Sequence, residues 1–85
     1  MFYVYILQSS KDGKLYVGFT SDLRRRFKEH NAGASRSTKA RRPFALVYYE
    51  AYVSEKDAKK REHSLKLFGK AREGIKRRIQ NSLKR

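Results

Sequence analysis

The stretch Phe2-Tyr3-Val4-Tyr5-Ile6-Leu7-Gln8, followed after Asp12-Gly13 by Leu15-Tyr16-Val17-Gly18-Phe19, decides the fold. The first run is β-branched and aromatic throughout, and short enough for a strand buried on both faces. Ser9 to Gly13 ends it, and Asp12-Gly13 is a strong hairpin signal. Lys14 to Phe19 alternates, which predicts a second strand antiparallel to the first. Gly18, inside that strand, has no side chain and marks close approach by another backbone or by a ligand.

Outward from the hairpin, Thr20-Ser21-Asp22 offers helix N-caps. Leu23, Arg26, Phe27 and His30 then fall at i, i+3, i+4 and i+7, one stripe of a helix that Asn31 to Gly33 closes. Ala34 to Arg42 is small, polar and basic without periodicity, and predicts an exposed loop carrying Arg36, Lys39, Arg41 and Arg42. Phe44 to Val53 predicts a third strand, interrupted by Glu50. Ser54, with Asp57 three residues on, predicts the start of a helix through Ala58, Glu62, Leu65 and Lys66 that ends near Gly69. A last basic helix is expected from Lys70 to Leu83, seamed by Ile75, Ile79 and Leu83 and weakened at Gly74. The expected architecture is α+β, a three-stranded antiparallel sheet flanked by helices, in one domain over residues 1–85.

The chain has 85 residues and no cysteine, which removes disulfides and thiolate zinc sites and fits a reducing compartment. Its two histidines, His30 and His63, leave no zinc spacing. No apolar run approaches the ~20 residues of a membrane helix, so the expected location is the cytoplasm. The 22 Lys and Arg outnumber 8 Asp and Glu, for a formal charge of +14. Such a balance calls for a polyanion, and nucleic acid comes first because counterion release drives binding without reading sequence.

The residues in order resemble the GIY-YIG nuclease superfamily, and more closely its small stand-alone bacterial branch, related to the N-terminal nuclease domain of the excision-repair endonuclease. The resemblance runs through Val4-Tyr5-Ile6-Leu7, Leu15-Tyr16-Val17-Gly18, Thr20, Asp22-Leu23, Arg26 and Glu29-His30-Asn31. It continues through Gly33, Arg41-Arg42-Pro43, Leu46 to Glu50, Ala58 and Arg61-Glu62. It implies hydrolysis of a nucleic-acid phosphodiester with one divalent metal, magnesium or manganese. By position it makes Tyr5 and Tyr16 the motif tyrosines, Arg26 the catalytic arginine, Glu62 the metal ligand, and His30 a residue near the attacking water. Tyr3 stands where the first motif has glycine, and Phe19 where DNA-repair relatives carry a lysine.

The chemistry suits those residue types. A hard cation neutralises phosphate oxygens, and magnesium is content with one carboxylate when phosphate and water fill its other positions. An arginine fork matches a phosphate in a way lysine does not. A free tyrosine has a pKa near ~10, so Tyr16 needs nearby positive charge to act as phenolate, or else passes its proton to His30. The residues leave both routes open. Plainer readings stand beside each: tyrosines pack strands, arginine runs are solvated, and Glu62 pairs with Lys66 one turn on. Nor does the sequence say whether Tyr5 and Tyr16 share a sheet face, because a one-residue slip reverses the answer.

The expectation is a metal-dependent endonuclease acting on DNA, selective for structure rather than sequence, in a setting of DNA repair or recombination. Arg36, Lys39, Arg41, Arg42 and Lys66 are its expected nucleic-acid contacts, and no obligate protein partner is evident. The alternative is a non-catalytic nucleic-acid-binding module that keeps the fold, since strand tyrosines and a basic face also serve stacking on single strands.

Overall fold

A computed structural model describes residues 1–84. The strands are β1 (Phe2–Ser9), β2 (Leu15–Thr20) and β3 (Phe44–Tyr52), and the helices are α1 (Leu23–Ala32), α2 (Glu55–Leu67), α3 (Gly69–Arg78) and α4 (Gln80–Leu83). The sheet order is β2-β1-β3, antiparallel throughout, so the most apolar strand is the central one.

The alternation of β1 divides the molecule. Val4 and Ile6 pack with Val17 of β2 and with Ala58, Leu65, Ile75 and Ile79 of the α2–α3 layer. Tyr5 and Leu7 point the other way and pack with Phe44, Tyr16, Leu46 and the α1 residues Leu23 and Phe27. A register irregularity between Ile6 and Leu7 keeps both faces in phase with β3.

Local signals fall where the residues put them. Asp22 caps α1 by accepting from the Arg25 amide at 3.2 Å, and Gly33 closes it in the left-handed region at φ 81°. Asn31 then ties α1 to β3, its side chain exchanging hydrogen bonds of 3.0 and 2.7 Å with the Phe44 backbone. Ser54 caps α2, and Arg72 covers the carbonyls of Leu65 and Lys66 that α2 leaves open at its end.

Two expectations need correction. The basic segment Lys70 to Leu83 is not one helix: it breaks at Ile79, whose backbone leaves helical values (φ −114°, ψ 30°) while its side chain stays in the core. Lys76, Arg77 and Arg78 just before the break suit a helix C-terminus, where open carbonyls attract cations. The segment from Ala34 to Arg42 is not wholly exposed either. It holds a single 3₁₀ turn at Lys39–Arg41, and Ser35 and Thr38 are buried.

Candidate active site

Strand pairing answers the question of the two tyrosines. Tyr5 lies opposite Gly18 and Leu7 opposite Tyr16, so both tyrosines project from one face, the face covered by α1. The Tyr5 ring lies over Gly18: a Cβ built on that glycine would sit 2.3 Å from the ring and its hydroxyl. The absence of a side chain at position 18 is what gives Tyr5 its place.

From α1, His30 and Arg26 descend on the same tyrosine. The Tyr5 hydroxyl is 2.8 Å from His30 Nε2, and His30 Nδ1 is 2.8 Å from Thr38 Oγ1. Arg26 lies near enough to act on the Tyr5 oxygen as a cation, which turns the phenol proton toward His30, where Nε2 accepts it. A neutral imidazole has one N–H, which therefore sits on Nδ1 and goes to Thr38, while the Thr38 hydroxyl turns to the Ser35 carbonyl at 3.5 Å. The pKa directions agree. Burial, with Arg26 nearby, pulls His30 down and keeps it neutral. Burial pushes the Tyr5 phenol up to about 12 against the opposing pull of Arg26, so Tyr5 stays protonated.

The other predicted residues surround this chain of hydrogen bonds. Tyr16 meets His30 edge-on with ring centres 5.2 Å apart, and both Tyr16 and Glu62 act electrostatically on the Tyr5 hydroxyl. Arg26 is held on a second side by Glu29, at 3.0 Å. Glu62 is 22% exposed and pairs with Lys66 at 3.1 Å. His30 is fully buried with both nitrogens engaged, and its partner Tyr5 is buried as well.

Thr38 and Ser35 are members of the site that sequence reasoning misses. Their only signal is the hydroxyl cluster Ser35, Ser37, Thr38 inside a basic stretch, and the partner that gives Thr38 its role is on another element.

Comparison with known proteins meets this geometry. The model for the GIY-YIG catalytic domain matches residues 1–76. The chain belongs to the GIY-YIG family. A UPF0213 protein of Staphylococcus haemolyticus is 44% identical over 69 residues, spanning 80% of this chain and 83% of that protein. Another, of Haloquadratum walsbyi, is 43% identical over 67 residues, spanning 78% and 74%. The solution NMR structure of a UPF0213 protein from Bacillus halodurans superposes with a TM-score of 0.56 at 38% identity, over 88% of this chain and 82% of that one.

A GIY-YIG domain implies a nuclease family and a nucleic-acid substrate, and the donor set bears on the divalent metal such nucleases generally use. Among the described residues no group of three or more His, Cys, Asp or Glu side chains converges on a metal position. Glu62, carried by α2, is a hard oxygen donor, part-exposed, and near enough to act electrostatically on the Tyr5 hydroxyl. One such carboxylate fits magnesium, which keeps several waters and takes phosphate oxygens.

The expected nucleic-acid contacts divide. Arg36 and Lys39 are exposed and carry no ion pair among the described residues. Arg41 is held by Asp12 at 3.0 Å and lies over the Phe44 ring, and Arg42 donates to the Lys39 carbonyl. Lys66 is on Glu62. No helix among the described residues is long and apolar enough to cross a membrane.

Proposed function

We propose that this chain is a divalent-metal-dependent endonuclease that hydrolyses DNA phosphodiesters and selects substrates by structure rather than sequence. The observation that supports the reading most is the arginine held between Tyr5 and Glu29, beside a second tyrosine and a carboxylate, under a net charge of +14.

Each residue then has a task. With Tyr5 and Glu29 fixing two sides of the guanidinium, the remaining N–H groups of Arg26 meet phosphate oxygens in a geometry set before substrate arrives. Tyr5, protonated and turned to His30, positions Arg26 and does not accept a proton. Tyr16, part-exposed on the same face, gives up its own hydroxyl proton to solvent and, as the phenolate, takes the proton of the attacking water. As the water oxygen bonds to phosphorus, the bond to the leaving alkoxide breaks and that oxygen gains a proton from solvent. A magnesium or manganese ion on Glu62 would supply charge neutralisation for the phosphate and the departing oxygen. Thr38 and His30 act through Tyr5 as positioning residues.

The second reading, a nucleic-acid-binding module without turnover, is favoured by one contact, because Lys66 already neutralises Glu62. The test compares the protein with Glu62→Ala and Arg26→Ala on labelled single-stranded, duplex, flap and four-way-junction DNA, in magnesium, in manganese and in EDTA. The nuclease reading expects cutting that needs metal and both side chains, with DNA affinity little changed in the variants. Salt-sensitive binding with no cutting of any substrate gives the answer to the binding module.

A further inference from the structure

Beside α1, on the same face as Tyr5, lies a cavity of about 570 Å³ walled by Tyr3, Tyr49, Leu23, Phe27 and Leu46, with Arg24 on its rim. That volume is in the range of small-ligand sites, roughly 300–1,000 Å³. Tyr3 precedes Tyr5 by one same-face step of β1, about 7 Å along the strand, so the cavity adjoins the catalytic groups. Tyr3 and Tyr49 meet edge-on at 6.0 Å, and Tyr49, 53% exposed, keeps half its surface open.

The charges around it are informative. Of the three consecutive arginines, Arg25 pairs with Asp22 and Glu29, and Arg26 with Glu29. Arg24 has no ion pair among the described residues, and while exposed it borders the cavity. Asp22, also on the rim, is engaged as the α1 cap and with Arg25.

We propose that this cavity receives an unpaired nucleobase of the substrate, stacked on Tyr49, while Arg24 holds the adjoining phosphate. Aromatic stacking accepts any base, and a free guanidinium on the rim complements the backbone that carries the base in. The proposal rests on the nucleic-acid reading above and adds the substrate class. Cleavage would fall next to an unpaired nucleotide, at an overhang, flap or junction, and an intact duplex would be a poor substrate. Selection by structure would then need no separate recognition domain.

The chain contains no tryptophan, so Tyr49→Trp gives a single reporter at an exposed position where folding is not at stake. It is titrated in EDTA, which prevents cutting, with labelled single-stranded oligonucleotides, the same oligonucleotides made abasic, and a blunt duplex. Binding is followed in parallel by anisotropy. The expected result is quenching by the base-containing single strand and not by the abasic one, with Tyr49→Ala binding the single strand about tenfold more weakly. Binding by anisotropy without quenching would place the base elsewhere and overturn the proposal. No anisotropy change with any oligonucleotide would instead defeat the nucleic-acid reading beneath it. Emission that follows protein concentration rather than oligonucleotide would assign the cavity to a second copy of the chain, and also overturn it.

Discussion

Each face of the sheet carries one network of tyrosines, an arginine and a carboxylate, and the two are built to opposite ends. On the α2 side, Glu50 of β3 takes a bidentate pair from Arg61 at 2.9 and 3.0 Å and accepts from the Tyr48 and Tyr52 hydroxyls at 2.6 and 2.5 Å. Every oxygen is used and the network is closed. Although burial alone would raise it, the Arg61 and tyrosine hydrogen bonds bring Glu50 down to about 2, and burial with Glu50 sends Tyr52 up to about 12. On the α1 side Glu29 holds only one side of the guanidinium, a neutral histidine takes the centre, and Arg26 keeps donors to spare. A closed ionic network clamps β3 to α2, whereas an open one, oriented by a neutral relay, leaves an arginine with free donors, the feature on which the proposed function rests.

That contrast can be broken where the effects are largest. If the proposed mechanism holds, Arg26→Ala and Glu62→Ala should each lower cleavage by at least ~100-fold with little change in melting temperature, since in that mechanism each removes a group directed at charge that develops in the reaction. Arg61→Ala should do the reverse. Leaving Glu50 without its cation costs about 3 kcal/mol, which for a chain this size lowers the melting temperature by roughly 10–20 °C, with turnover per folded molecule preserved. If Arg61→Ala abolished cleavage at a temperature where it stays folded, the division between faces would be wrong.

Smaller effects sharpen the comparison. The folded pKa of Glu50 is depressed, so its stabilisation is present above the ordinary carboxylate value of 4.5 and is lost as pH falls from there toward about 2. Asp12, lowered to about 2 chiefly by its hydrogen bond to Arg41, acts in the same window. Acid titration followed by circular dichroism should show stability falling across that window, less steeply in Glu50→Gln. On the other face, Thr38→Val should lower kcat about tenfold at unchanged KM and shift the pH profile, because Nδ1–H loses its acceptor and the tautomer facing Tyr5 is no longer fixed. Thr38→Ser should restore both, which a purely packing role would not allow.

Much of this architecture is legible in the residues alone. The strands, the Asp22 and Ser54 caps and the Gly33 stop follow from local chemistry, and local chemistry sets them. Four of the five residues implied by family resemblance, Tyr5, Tyr16, Arg26 and His30, fall together because two strand residues and two α1 residues face each other across a single layer, while Glu62 comes from α2. What escapes depends on partners distant in sequence. Thr38 has no periodicity to mark it, Arg24 differs from Arg25 only in what stands opposite, and Glu50 reads as an interruption of a strand. Ile79 reads as a helical position because spacing by four is kept across the break.

Gly18 separates recognition from reaction more cleanly than any polar residue. Its missing side chain is the socket in which the Tyr5 ring rests. In Gly18→Ala a single added methyl group should evict that ring, undoing Arg26 and His30 together while every charge on the surface remains. Retained DNA affinity with lost cleavage is the outcome to measure. Such a protein would be an inert twin of the native one, equal in charge and in its grip on DNA.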